Sequence, residues 1–110
     1  MSYLYSTFAP QGYEPITTFW QDFSIAEIYG DEFIKDTAQT AFLNYCGNIK
    51  YLTELIMVIN HKCWYWYENG KEGLSKLYSD LYYEYDSRAI EYLEEHGSEE
   101  DKHYYFSTLD

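Results

Sequence analysis

Basic residues are scarce in this chain. There are 7 lysines and arginines against 19 acids, and the formal net charge is −12. A duplex-DNA or anionic-membrane binder needs a basic footprint to displace counterions, so direct nucleic-acid and membrane binding are both excluded on charge. Cysteine is nearly absent. Cys46 and Cys63 make no disulfide framework, and no C-x-x-C occurs. Long apolar runs are missing too. The longest aliphatic stretch, Leu55 to Ile59, is far too short to span a bilayer. Met1-Ser2-Tyr3-Leu4-Tyr5 has no basic region followed by an apolar stretch, which reads against a signal peptide. These absences predict a reduced, cytoplasmic protein whose thiols serve packing. Proline is confined to Pro10 and Pro15, so nothing beyond residue 15 is broken by it.

What is present suffices for a core. The 110 residues suit one domain, and 46% of them are apolar. Aromatics reach 22%, and 15 of them are tyrosine. Tyrosine joins a large apolar body to a polar tip, which suits half-buried positions and also contact surfaces.

The spacing of apolar residues predicts an all-α domain. Residues 1–16 hold both prolines and Gly12 and read as an N-terminal arm or loop, with Tyr3 to Phe8 able to form a short strand. Thr18 and Gln21 have capping-box spacing, which starts a helix there. Phe19, Phe23 and Ala26 then share a face, and Gly30 ends the helix. Asp31 is placed to cap a second helix carrying Ile34, Ala38, Ala41, Phe42 and Tyr45. From Asn48 to Asn69 one stripe holds Ile49, Leu52, Ile56, Ile59, Cys63 and Trp66, widened by Leu55 and Val58. A helix apolar around most of its girth belongs in the middle of a bundle. A buried strand over Leu55 to Ile59 is the competing reading, since a short β-branched run fits both.

A long amphipathic helix follows, with Leu74, Leu77, Tyr78, Leu81, Tyr82, Tyr85, Ala89, Tyr92 and Leu93 on one face and Gly97 at its end. Glu99 to Asp110 reads as a short acidic helix or tail. Its Tyr104 to Leu109 echoes Leu4 to Phe8, and the two have the composition to pair as a small sheet. The expected fold is a bundle of four or five helices packed as antiparallel hairpins, because the turns at Gly30, Gly47 and Gly70 are short.

Catalytic and metal motifs are lacking. His61 and Cys63 are two apart, and on a helix they point about 200° from each other, so they cannot share a metal. Cys63 falls on the core stripe, while His61 falls with Glu54 and Trp64 on the other side. Glu100 and His103 form one E-x-x-H, where a di-iron bundle needs two. Neither G-x-S-x-G nor a phosphate-cradling glycine loop occurs. No cofactor is expected.

Two surfaces draw a functional reading. Asp80, Glu84, Glu91 and Glu94 run along one face of the long helix, spaced by about 5 to 10 Å. That is of the order of phosphate spacing in a nucleic-acid strand. The face is either plain solvation or a nucleic-acid mimic aimed at a DNA-handling protein. Trp64-Tyr65-Trp66-Tyr67 occupy consecutive helix positions and cannot all face the core. Trp64 and Tyr65 therefore either pack on the aromatic N-terminal segment or form a partner patch. The first reading of function is a non-enzymatic interaction domain with a protein partner or a second copy of itself. An inhibitor by mimicry is the second reading, and an enzyme or small-ligand binder the third.

Phe19-Trp20 with Phe23, Asp36-Thr37, Thr53-Glu54-Leu55, Asn60-His61-Lys62-Cys63-Trp64 and Thr108-Leu109-Asp110 give the chain a likeness. It resembles a group of small acidic proteins carried by mobile elements of gut anaerobes. The resemblance implies an accessory or inhibitory role and carries over no site residues.

Overall fold

A computed structural model describes residues 14–109, with side chains from residue 18 onward. It holds five helices: α1 Glu14–Tyr29, α2 Asp31–Tyr45, α3 Ile49–Glu68, α4 Glu72–His96 and α5 Glu99–Leu109. No strand occurs among the described residues. The helical reading of residues 55–59 therefore holds over the strand, and the fold is all-α. Tyr104 to Leu109 lie in α5, so the small sheet expected there does not form. The expected strand over Tyr3 to Phe8 falls outside the described residues.

The helix starts differ from expectation in two places. α1 begins at Glu14, one turn before Thr18, so Thr18 lies inside the helix rather than capping it. The first turn tolerates Pro15, because an N–H there has no intrahelical acceptor to lose. The second difference is at Gly30, which takes the cap position before α2 without any side-chain cap bond; Asp31 becomes the first helical residue. Gly30 has φ +127°, a region that L side chains rarely adopt. Its N–H donates to the Ala26 carbonyl at 3.0 Å, and its carbonyl accepts from Phe33 at 3.1 Å. One residue thus ends α1 and starts α2. By contrast, Asn48 caps α3 as its residue type favours, its side chain accepting from the Tyr51 N–H at 3.2 Å.

α3 is the central helix and touches each of the other four. Leu52, Leu55, Ile56, Val58 and Ile59 are all fully buried on it. Phe19, Phe23 and Ala26 from α1 join the same core, as do Ile34 and Ala38 from α2. α4 contributes Tyr78, Leu81, Tyr85, Ala89 and Leu93. Leu74, Leu77, Tyr82 and Ile90 flank that row half-buried. α5 is tied down by Tyr105, which is buried and donates to Asp86 Oδ1 of α4 at 2.6 Å. Burial first, and the facing Asp86 second, hold that phenol above its ordinary range, so it remains a donor.

α1 and α2 form an antiparallel hairpin. Phe19 meets Tyr45 at one end, with ring centroids 5.4 Å apart, and Tyr29 meets Phe33 at the other, at 5.5 Å.

Candidate functional site

The acidic residues of α4 stand where the helical spacing puts them. Asp80, Glu84, Glu91 and Glu94 are all exposed. Two of the four are matched by cations one turn away on the same helix. Lys76 Nζ lies 3.4 Å from Asp80, and Arg88 lies 2.7 Å from Glu84. Pairs this exposed contribute little to stability, but they dilute the negative face.

The aromatic cluster is split. Trp64 is exposed and packs edge-on against Tyr67, with centroids 5.8 Å apart. Tyr65 turns the other way, onto Trp20 of α1 at 5.5 Å and onto Trp66 at 4.9 Å. The packing expected on Tyr3, Tyr5, Phe8 and Tyr13 lies outside the described residues. Trp64 and Asp80 do come together. Both line a groove of about 630 Å³ where α3 meets α4, along with Cys63, Tyr67, Ser75 and Lys76. Glu84, Glu91 and Glu94 lie farther along α4 and are not part of it.

Two buried groups on α3 escaped the reading of the sequence. The first is Lys62, only 1% exposed. Its ammonium lies 3.0 Å from Glu27 Oε2, donates to Ser24 Oγ at 2.7 Å and sits 4.1 Å from the centroid of the Trp20 ring. Glu27 Oε2 also accepts from Trp66 Nε1 at 3.0 Å and from Tyr78 at 2.5 Å. Burial pulls the Lys62 amine below its usual range, while Glu27 pushes it back up. Burial and then Glu27 hold the Tyr78 phenol far above its ordinary range. The cluster ties α1, α3 and α4 together. It is closed by its own members: none of Lys62, Glu27 and Tyr78 lines either groove. Its chemistry is that of a polar fastening in the core. A trace of it was in the sequence, since Lys62 follows Leu55, Val58 and Ile59 at helical spacings of seven, four and three.

The second is Glu54. It was expected on the outer side of α3 with His61 and Trp64, yet it is 4% exposed. α3 touches all four other helices, and its outer side is covered at Glu54 while Trp64, farther along that side, is exposed. Glu54 Oε2 is buried with no hydrogen-bond partner among the described residues. Burial raises its carboxyl above the usual range, and Lys50 lowers it in part. His61, half-buried on the same side, is lowered by burial.

The feature most unlike a finished protein surface lies between α1 and α2. Ile25, Tyr29 and Phe33 are 56%, 67% and 54% exposed, and all three line a groove of about 600 Å³. Phe19, Ala26, Ala41 and Tyr45 form its apolar remainder, and Thr18, Thr37, Thr40 and Asn44 its neutral polar part. Among the described residues the charged lining is Asp22 and Asp36, with no lysine, arginine or histidine. Asp22 is open to water, yet crowded enough by protein that desolvation raises its carboxyl above the usual range. Ile28 and Leu43, on the same two helices, are exposed as well.

No group of three or more histidine, cysteine, aspartate or glutamate side chains that could hold a metal ion occurs among the described residues. No helix among them is long and apolar enough to cross a membrane. No protein-family model, curated protein or solved structure matches the chain.

Proposed function

We propose that this protein is a non-enzymatic interaction domain that contacts a protein partner through the α1–α2 hairpin. The observation that carries this reading is the outward placement of Ile25, Tyr29 and Phe33 together along one groove. The core closes without them, since Leu52, Leu55, Ile56, Val58 and Ile59 of α3 are fully buried in one apolar cluster with residues of the other helices. Contiguous apolar side chains held in water, rimmed by polar ones, mark contact surfaces. The acidic face of α4 supports the mimicry reading less well, because Lys76 and Arg88 offset two of its four carboxylates. An accessory or inhibitory role, working by occupying a partner, fits a contact domain of this kind.

The test is affinity capture from host lysate with three forms of the full chain: wild type, Phe33→Ser and Trp64→Ser. A protein retained by wild type and by Trp64→Ser but lost with Phe33→Ser supports the α1–α2 surface. Loss with Trp64→Ser alone moves the contact to the α3–α4 groove. Equal retention by all three forms overturns both.

A further inference from the structure

The apolar groove between α1 and α2 has carboxylates and no cation among its described lining residues. It runs from Thr18 to Tyr29 along α1, a rise of about 17 Å at ~1.5 Å per residue. That is the length of about three helical turns. Its walls are two antiparallel helices, whose side-chain ridges leave the kind of furrow a third helix fills. Ile25 and Tyr29 stand one turn apart on α1, and Phe33 of α2 meets Tyr29 across the Gly30 turn, with ring centroids 5.5 Å apart. Together they give the groove an exposed apolar end.

Charge decides among occupants. Asp22 and Asp36 face the groove unmatched by any basic residue of its described lining, and Asp31 stands exposed nearby at the start of α2, beside a Glu32 that pairs with Lys35 at 3.4 Å. A second copy of this chain would bring the same acids against them, within a pair of molecules each carrying −12. An anionic surface is disfavoured for the same reason. We infer that the groove takes an amphipathic helix of a partner protein, apolar on the side that enters and carrying lysine or arginine along its edges. Asp22 and Asp36 select it by charge, while Ile25, Tyr29 and Phe33 supply the contact area. This inference rests on the reading of the α1–α2 face as the contact surface.

A phage-displayed library of helical peptides with randomised edge positions tests it, panned on the full wild-type chain and counter-panned on Phe33→Ser. The expected clones are apolar on one face and enriched in lysine and arginine at the edges. Their binding weakens by about tenfold on Asp22→Asn/Asp36→Asn at low salt. Moderate salt weakens binding to wild type in the same direction through screening. Clones that discriminate wild type from Phe33→Ser but show no basic enrichment, or ignore the double Asn variant, overturn the charge selection and leave the contact surface standing. A library yielding no clone that discriminates between the two proteins overturns both, as does enrichment only of sequences that displace a dimer of the chain itself.

Discussion

The Tyr78 hydroxyl donates to Glu27 Oε2 at 2.5 Å, across 51 residues of chain. The same oxygen receives Trp66 Nε1 and the Lys62 ammonium, each at 3.0 Å. One carboxylate oxygen of α1 therefore satisfies two donors from α3 and one from α4, all inside the core.

Removing that acceptor is expected to be the costliest polar change in the protein. Glu27→Ala strands a buried ammonium, a phenol and an indole N–H, and should cost about 3–5 kcal/mol. Lys62→Met leaves Glu27 with two neutral donors and should cost somewhat less. Tyr78→Phe removes one bond of three and should cost about 1–3 kcal/mol. Urea unfolding of the three variants gives the order. A Glu27→Ala variant within about 1 kcal/mol of wild type would show that the cluster is solvated and not a fastening.

Glu54 sets a pH dependence of known sign. Burial raises its folded pKa above the ordinary 4.5. The folded state then holds that proton more tightly than the unfolded chain does. The resulting stabilisation is complete below the unfolded value and is lost as pH rises through the folded one. Glu54→Gln imitates the protonated form. It should melt a few degrees above wild type at about pH 7, with the difference vanishing by about pH 4. A glutamine variant that is less stable at both pH values would mean the carboxylate has a partner when charged.

Gly30 is held by its backbone and not by its surroundings. A Cβ added there would meet nothing within 4 Å, yet φ is +127°. Gly30→Ala should therefore cost about 1–3 kcal/mol from conformation alone. Gly73 offers the contrast. It lies in the first turn of α4 with no positive φ and nothing within 4 Å of an added Cβ. Gly73→Ala should raise stability by about 0.4–1 kcal/mol. Thermal unfolding of the pair checks both signs, and equal effects would refute the turn geometry.

Four of the five helices were legible because each has its own periodicity, while α5 was expected only as a short acidic helix or tail. Phe19, Phe23 and Ala26 share a face at spacings of four and three, and all three are buried. The stripes of α3 and α4 gave themselves away in the same manner, and Gly30 and Gly97 stood next to the helix ends they mark. Helix starts were harder. Thr18 has the composition of a cap, but Pro15 can begin a helix a turn earlier at no hydrogen-bond cost. Asp31 has the same composition, but glycine's freedom at residue 30 made a side-chain cap unnecessary.

The candidate sites were legible only in part. Exposure of Asp80, Glu84, Glu91, Glu94 and Trp64 followed from helix phase. The burial of Glu54 and Lys62 did not, because the spacing within α3 does not record which stretches of it the four other helices cover.

The sequence by itself determined the class of fold and most of the buried apolar row on each helix, since these depend on spacings within single segments. Only the tertiary structure decided that Lys62 meets Glu27, and that Ile25, Tyr29 and Phe33 line a groove with Asp22 and Asp36. The reason is physical. Which helix lies against which, and at what rotation, is settled by packing between segments distant in the chain, and no local spacing records it.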